Sequence, residues 1–160
     1  MVTTKEDVLA AMDRFREDFD ALIAPMTDRK LEKGVYENGW NAHQLICHLA
    51  STAGIAGFVL TLARAPVPAG MGPGAEGFDN DAFNAQQIQS REKKPLENVL
   101  NELRDTLDRD RQVVSAAPEQ LMASMFRAPW GTEGTVAGVI ADSFKEHLGV
   151  HLADLKAAVA

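Results

Sequence analysis

The sequence predicts an all-α protein, a four-helix bundle with at least four main helices. Three observations carry this. Apolar residues recur every three to four positions along several long stretches. Capping residues, prolines and glycines punctuate those stretches at their ends. No segment alternates apolar and polar residues with the period of a strand. The 160 residues, 46% of them apolar, suit one domain spanning 1–160 with one core.

The first helix begins near Thr4, whose hydroxyl can cap the free amides, with Asp7 at the favourable N-terminal end. Val8, Met12, Phe15, Phe19 and Leu22 form its apolar stripe, and Pro25 falls where the pattern stops. Residues 26–39 are polar and contain Gly34 and Gly39, so they read as a loop. Asn41 and Gln44 match a capping box, opening a second helix that runs to about Arg64. Leu45, His48, Thr52, Ile55, Val59 and Leu62 share its buried arc, while His43 projects to roughly the opposite side, at least partly exposed.

Residues 65–77 hold three prolines and four glycines, an irregular segment that is either a lid beside a site or a plain surface connection. A third helix is expected over Asp79–Lys93 and a fourth over Leu96–Ala116, with Pro95 in the first turn or at a kink between them. The fourth carries the stripe Leu96, Val99, Leu100, Leu103, Leu107 and Val114. Pro118–Met122 suits a short helical turn, and 126–134 reads as a loop. The last helix, from about Thr135 to Ala158, places Val136, Ile140, Phe144, His147, His151 and Leu155 on one arc.

Composition excludes several function classes. A net charge of -7, from 23 acidic and 16 basic residues, argues against a nucleic-acid or anionic-membrane surface. The single cysteine excludes an intramolecular disulfide framework and suits a reducing compartment. The N-terminal residues lack the basic start and apolar run of a signal peptide. The window Leu45–Ala63 has no charged side chain, but His48, Ser51 and Thr52 fit a buried central helix better than a membrane span. A cytoplasmic location follows as the expectation.

The chemistry centres on histidine. His147 and His151, at i and i+4, stand on one helix face, and His48 lies within the apolar stripe of another helix. Packing alone explains one core histidine, but three unpaired buried imidazoles are costly. Three neutral imidazoles can instead hold a divalent ion, leaving a position open for water or substrate. Glu146 and Asp154 flank the pair and can orient an imidazole, Asp154 projecting nearer the stripe. Cys47 points away from His48 and reads as a small buried hydrophobe. Trp40 and Trp130 precede the two histidine-bearing helices and suit either a pocket mouth or packing. Phosphate-binding loops, nucleophile elbows and dinucleotide fingerprints are missing from the sequence.

The run Gly39-Trp40-Asn41-Ala42-His43-Gln44-Leu45-Ile46-Cys47-His48-Leu49-Ala50 resembles the Gly-Trp…His-Leu signature of the DinB/YfiT-like proteins, and His147-x-x-x-His151 resembles their last-helix motif. The resemblance covers nearly the whole chain. It implies a four-helix bundle, often a homodimer, with a divalent metal, commonly zinc or nickel, held by His48, His147 and His151. It further implies a thiol-dependent S-transferase or related activity on a small electrophile, with a low-molecular-weight thiol (mycothiol, bacillithiol or glutathione) as co-substrate. Arg64, Arg127 and Asn84 can supply polar contacts to such a thiol. The alternatives are a hydrolase using metal-bound water and a non-catalytic metal-binding bundle acting through a protein partner. The chain as read carries no second domain of the kind found in mycothiol-dependent maleylpyruvate isomerases, so the resemblance bears on the shared metal domain.

Overall fold

A computed structural model describes residues 2–34, 39–65 and 72–160. Four helical columns form the bundle: α1 (Lys5–Ile23), the broken helix α3 (Ala42–Thr52) and α4 (Ile55–Arg64), α6 (Leu96–Ala116), and a final column. The last comprises α8 (Val136–Asp142), a π-helical segment (Ser143–Leu148) and α9 (Gly149–Val159). A short α2 (Asp28–Leu31) stands in the stretch read as loop, α5 (Asn80–Glu92) packs along α3, and α7 (Glu119–Met122) is the turn expected after Pro118.

Local chemistry explains the helix starts. Thr4 Oγ1 accepts from the Asp7 amide while the Asp7 carboxylate accepts from the Thr4 amide. Asn41 and Gln44 close the second box in the same way, at 2.8 and 3.0 Å. The stripes then meet as expected. Val8, Met12, Phe15 and Phe19 of α1 are buried with Val99, Leu103 and Leu107 of α6 and with Leu45 and Leu49 of α3 in one core. On α1 the stripe ends at Ile23, which is buried, rather than at Leu22, which is only partly so. The long apolar stretch Ala42–Arg64 loses its apolar face to α5, α6, α8 and α9.

Three features depart from the sequence reading. The second helix is not continuous to Arg64 but breaks between Thr52 and Ile55, with Gly54 at the cap of α4. Asp110 of α6, 5% exposed, caps the new start: its Oδ2 accepts from the Gly57 amide at 2.7 Å. A Cβ at Gly57 would lie 2.7 Å from the other carboxylate oxygen, so this approach requires glycine. The 126–134 stretch is a hairpin, not a loop. Met125–Arg127 (β1) pairs antiparallel with Glu133–Thr135 (β2), turning through Gly131 at φ +94°. Three residues in each strand are too few to show a period of two. The third departure, the π-helical segment, concerns the histidines.

Burial raises the Asp110 pKa above the ordinary 3.8, opposed by the Gly57 amide and Arg109. A folded-state value above the unfolded one means that this group's stabilisation is full below the unfolded pKa and is lost as pH rises through the folded value. Asp110→Asn is therefore expected to gain stability relative to the parent chain between about pH 4 and about pH 7. Asp110→Ala, which strands the Gly57 amide, should be less stable than Asp110→Asn by about 1–3 kcal/mol. Urea denaturation at the two pH values checks both.

Of the Pro/Gly-rich segment, residues 66–71 lie outside the described residues, and with them most of the stretch read as a possible lid. Residues 72–77 form turns, with Gly74 packed on Trp130 and its amide donating to Asn80 Oδ1 at 2.8 Å.

Candidate metal centre

The three histidines singled out in the sequence meet. His48 comes from the middle of α3, His147 from the π-helical segment and His151 from the first turn of α9. One nitrogen of each lies within 4.8 Å of the others, a grouping suited to a metal ion. The ring centroids of His151 stand 4.8 Å from those of both His48 and His147. His48 Nε2 and His147 Nε2 are 3.4 Å apart. Two imidazole nitrogens bound at about 2.0–2.1 Å to a tetrahedral ion would sit about 3.3 Å apart. The donor set and its spacing fit a divalent metal.

Electrostatics favour the same use. Burial, then His151 and His147, push the His48 pKa down to about 3. Burial, then His147, push His151 down to about 4, with Asp154 opposing. Desolvation of its ring against the other two also lowers His147, although much of the residue's surface is exposed. All three rings are then neutral near pH 7, with a lone pair available on each. His48 Nδ1 is buried without a hydrogen-bond partner among the described residues. Trp40 stands over the His48 ring, centroids 5.1 Å apart.

The helix carrying two of the histidines is not plain α. The Gly149 amide reaches back five residues to the Phe144 carbonyl rather than four. A straight helix would put His147 and His151 on the arc of Val136, Ile140 and Phe144. The wide turn instead carries the apolar stripe from Phe144 through Leu148, Leu152 and Leu155, all buried. This corrects the expected placement of the two histidines: His147 is exposed and His151 half-buried at the stripe's edge. Gly149 makes the turn possible, since a Cβ there would lie 2.9 Å from the Phe144 carbonyl oxygen.

His48 and His147 open onto a cavity of about 780 Å³. Ile55, Phe58 and Trp130 supply much of its apolar wall, with Phe58 and Trp130 stacked at 6.4 Å. The hairpin tip therefore puts Trp130 in the wall, one of the two roles read for it. Asn84 lines the cavity too, but Arg64 and Arg127 do not, and Arg127 pairs with Glu133 at 3.1 Å. Glu146 lines the cavity, and Asp154 acts on His151 through its charge. Cys47 is fully buried and its thiol is pushed up to about 11 by burial, which leaves it inert as a nucleophile. His43 is half-buried and does not join the cluster.

Sequence reasoning missed Asp142, Phe58 and Asn80, all on the cavity wall. Asp142 precedes His147 by five residues, off its face in an α-helix, but the wide turn puts both on the wall.

Residues 12–156 match the family model described as the mycothiol maleylpyruvate isomerase N-terminal domain. The chain belongs to this family, within the DinB-like superfamily. Comparison with curated proteins gives no match. Among solved structures the fold is similar to YfiT from Bacillus subtilis, described as a probable metal-dependent hydrolase with an unusual four-helix bundle topology. The two share 16% identity at a TM-score of 0.74, over 96% of this chain and 85% of that one. The expected bundle of DinB/YfiT type is thus the fold observed.

Proposed function

We propose that this family member is a divalent-metal-dependent hydrolase acting on a small, largely apolar substrate. The observation that carries the reading is the convergence of three neutral imidazoles, two of them, His48 and His147, on the wall of an apolar cavity. His48, His147 and His151 would hold the ion, zinc or nickel by the chemistry of an all-nitrogen donor set. When bound, such an ion supplies Lewis acidity and lowers the pKa of a water near it toward neutrality. The chain's own residues do the rest. Phe58 and Trp130 exclude bulk water and seat an apolar group. Asp142 and Glu146 are the carboxylates on the wall, where either can accept a proton from the attacking water. The description of YfiT as a probable metal-dependent hydrolase supports the reading.

A thiol-dependent S-transferase is the second reading, favoured by membership of a family named for a mycothiol enzyme. The lining speaks less well for it. A charged thiol such as glutathione needs cationic contacts, and no lysine or arginine lines the cavity among the described residues. Metal content of untagged protein by plasma mass spectrometry comes first, followed by turnover of small aryl esters and amides with and without added thiol. The proposal expects about one ion per chain and thiol-independent cleavage that a chelator abolishes. Turnover only with added thiol moves the assignment to the transferase. Absence of metal after divalent ions are added back overturns both.

A further inference from the structure

The cavity beside the histidines has a charge asymmetry that bears on its ligand. Its wall includes Asp142 and Glu146, and no basic side chain faces them among the described residues. Asp142 makes no ion pair among the described residues. Glu146 pairs at 3.2 Å with Lys145, whose side chain is 80% exposed, a contact of little strength. Arg91, in the last turn of α5, is held by Glu102 at 2.6 Å. The same wall includes the apolar side chains of Ile55, Phe58, Phe83 and Trp130. His48, 3% exposed, also lines the cavity, with its Nδ1 unpartnered.

We infer that the natural substrate is an apolar molecule bearing an amine or other cationic end, seated with its apolar body against Phe58 and Trp130 and its cation at Asp142 and Glu146. This rests on the hydrolase reading for what happens to the substrate, but the binding preference stands apart from the reaction. An anionic ligand would meet two carboxylates with no basic side chain of the wall beside them, offset only by the ion the histidines would hold, whereas a cation pairs with them directly. The cavity's size suits a molecule of drug-like dimensions.

Calorimetric titration tests this with three probes that share one apolar body: 4-phenylbutylamine, 4-phenylbutanol and 4-phenylbutyrate. Untagged full-length protein is titrated both metal-free and zinc-loaded, with its zinc content measured separately. The amine is expected to bind at least about tenfold tighter than the carboxylate in both forms, with the alcohol between them, about the size of one solvent-exposed unit-charge contact. Asp142→Asn and Glu146→Gln should each shrink that ratio severalfold while binding of the alcohol stays. A preference that disappears on zinc loading would overturn the inference, since the carboxylates would then serve to balance the ion. So would equal binding of amine and carboxylate, binding of none of the probes, or an amine preference indifferent to both substitutions. A chain that takes up no zinc yet prefers the amine sinks the hydrolase reading and leaves this one standing.

Discussion

Replacing His48 by alanine is expected to abolish stoichiometric metal binding, weakening it by more than about 100-fold, and to leave the helical fold in place. A change in a group that merely orients a ligand already costs about 10–100-fold, and His48 would be a ligand itself. The fold should survive for a physical reason. The imidazole is 3% exposed, its Nδ1 lacks a partner, and burial holds its pKa near 3, so without metal it is a strained tenant of the core. Its core neighbours on α3, Leu45, Ile46 and Leu49, are fully buried and stay in place. Far-UV circular dichroism unchanged, with metal lost, is the expected pair of observations. Unfolding of His48→Ala would mean that the ion is structural.

The second large effect is expected at a residue that touches no ligand. Gly149→Ala places a methyl group 2.9 Å from the Phe144 carbonyl oxygen, the acceptor that closes the wide turn. The turn must widen further or revert toward α geometry. Reversion would rotate His147 back into the apolar arc and away from His48. Overpacking of this kind costs about 1–3 kcal/mol. Metal affinity should fall by about 10–100-fold, the range found when ligand orientation is disturbed. Competition with a chromogenic zinc chelator measures the affinity, and thermal unfolding measures the stability. Parent-like affinity in a destabilised variant would show that the wide turn does not position His147.

The two predictions mark where the sequence was legible. The helix caps at Thr4 and Asn41, the stripes of α1 and α6, and the trio His48, His147 and His151 are local or periodic signals. The structure follows them closely. What escaped is set by tertiary contact or by a change of period. The break at Gly54 needs Asp110 from another helix to cap it, and no local pattern links residues 53 positions apart. Trp130 enters the cavity wall only because a short hairpin turns it there. Asp142 joins His147 on that wall through a five-residue spacing that a 3.6-residue period assigns to another face. The glycine that enables it sits midway between His147 and His151 and carried a readable signal, since glycine inside a helix costs about 1 kcal/mol relative to alanine and wants a reason.

The central claim is that one ion sits among His48, His147 and His151. X-ray absorption at the metal edge, on untagged protein loaded with one equivalent of zinc, tests it most directly. The account predicts a first shell containing three imidazole nitrogens at about 2.0–2.1 Å plus a light-atom ligand, reduced to two imidazoles in His151→Ala. A first shell of oxygens alone, a sulfur contribution from Cys47, or a spectrum unchanged in His151→Ala would contradict it.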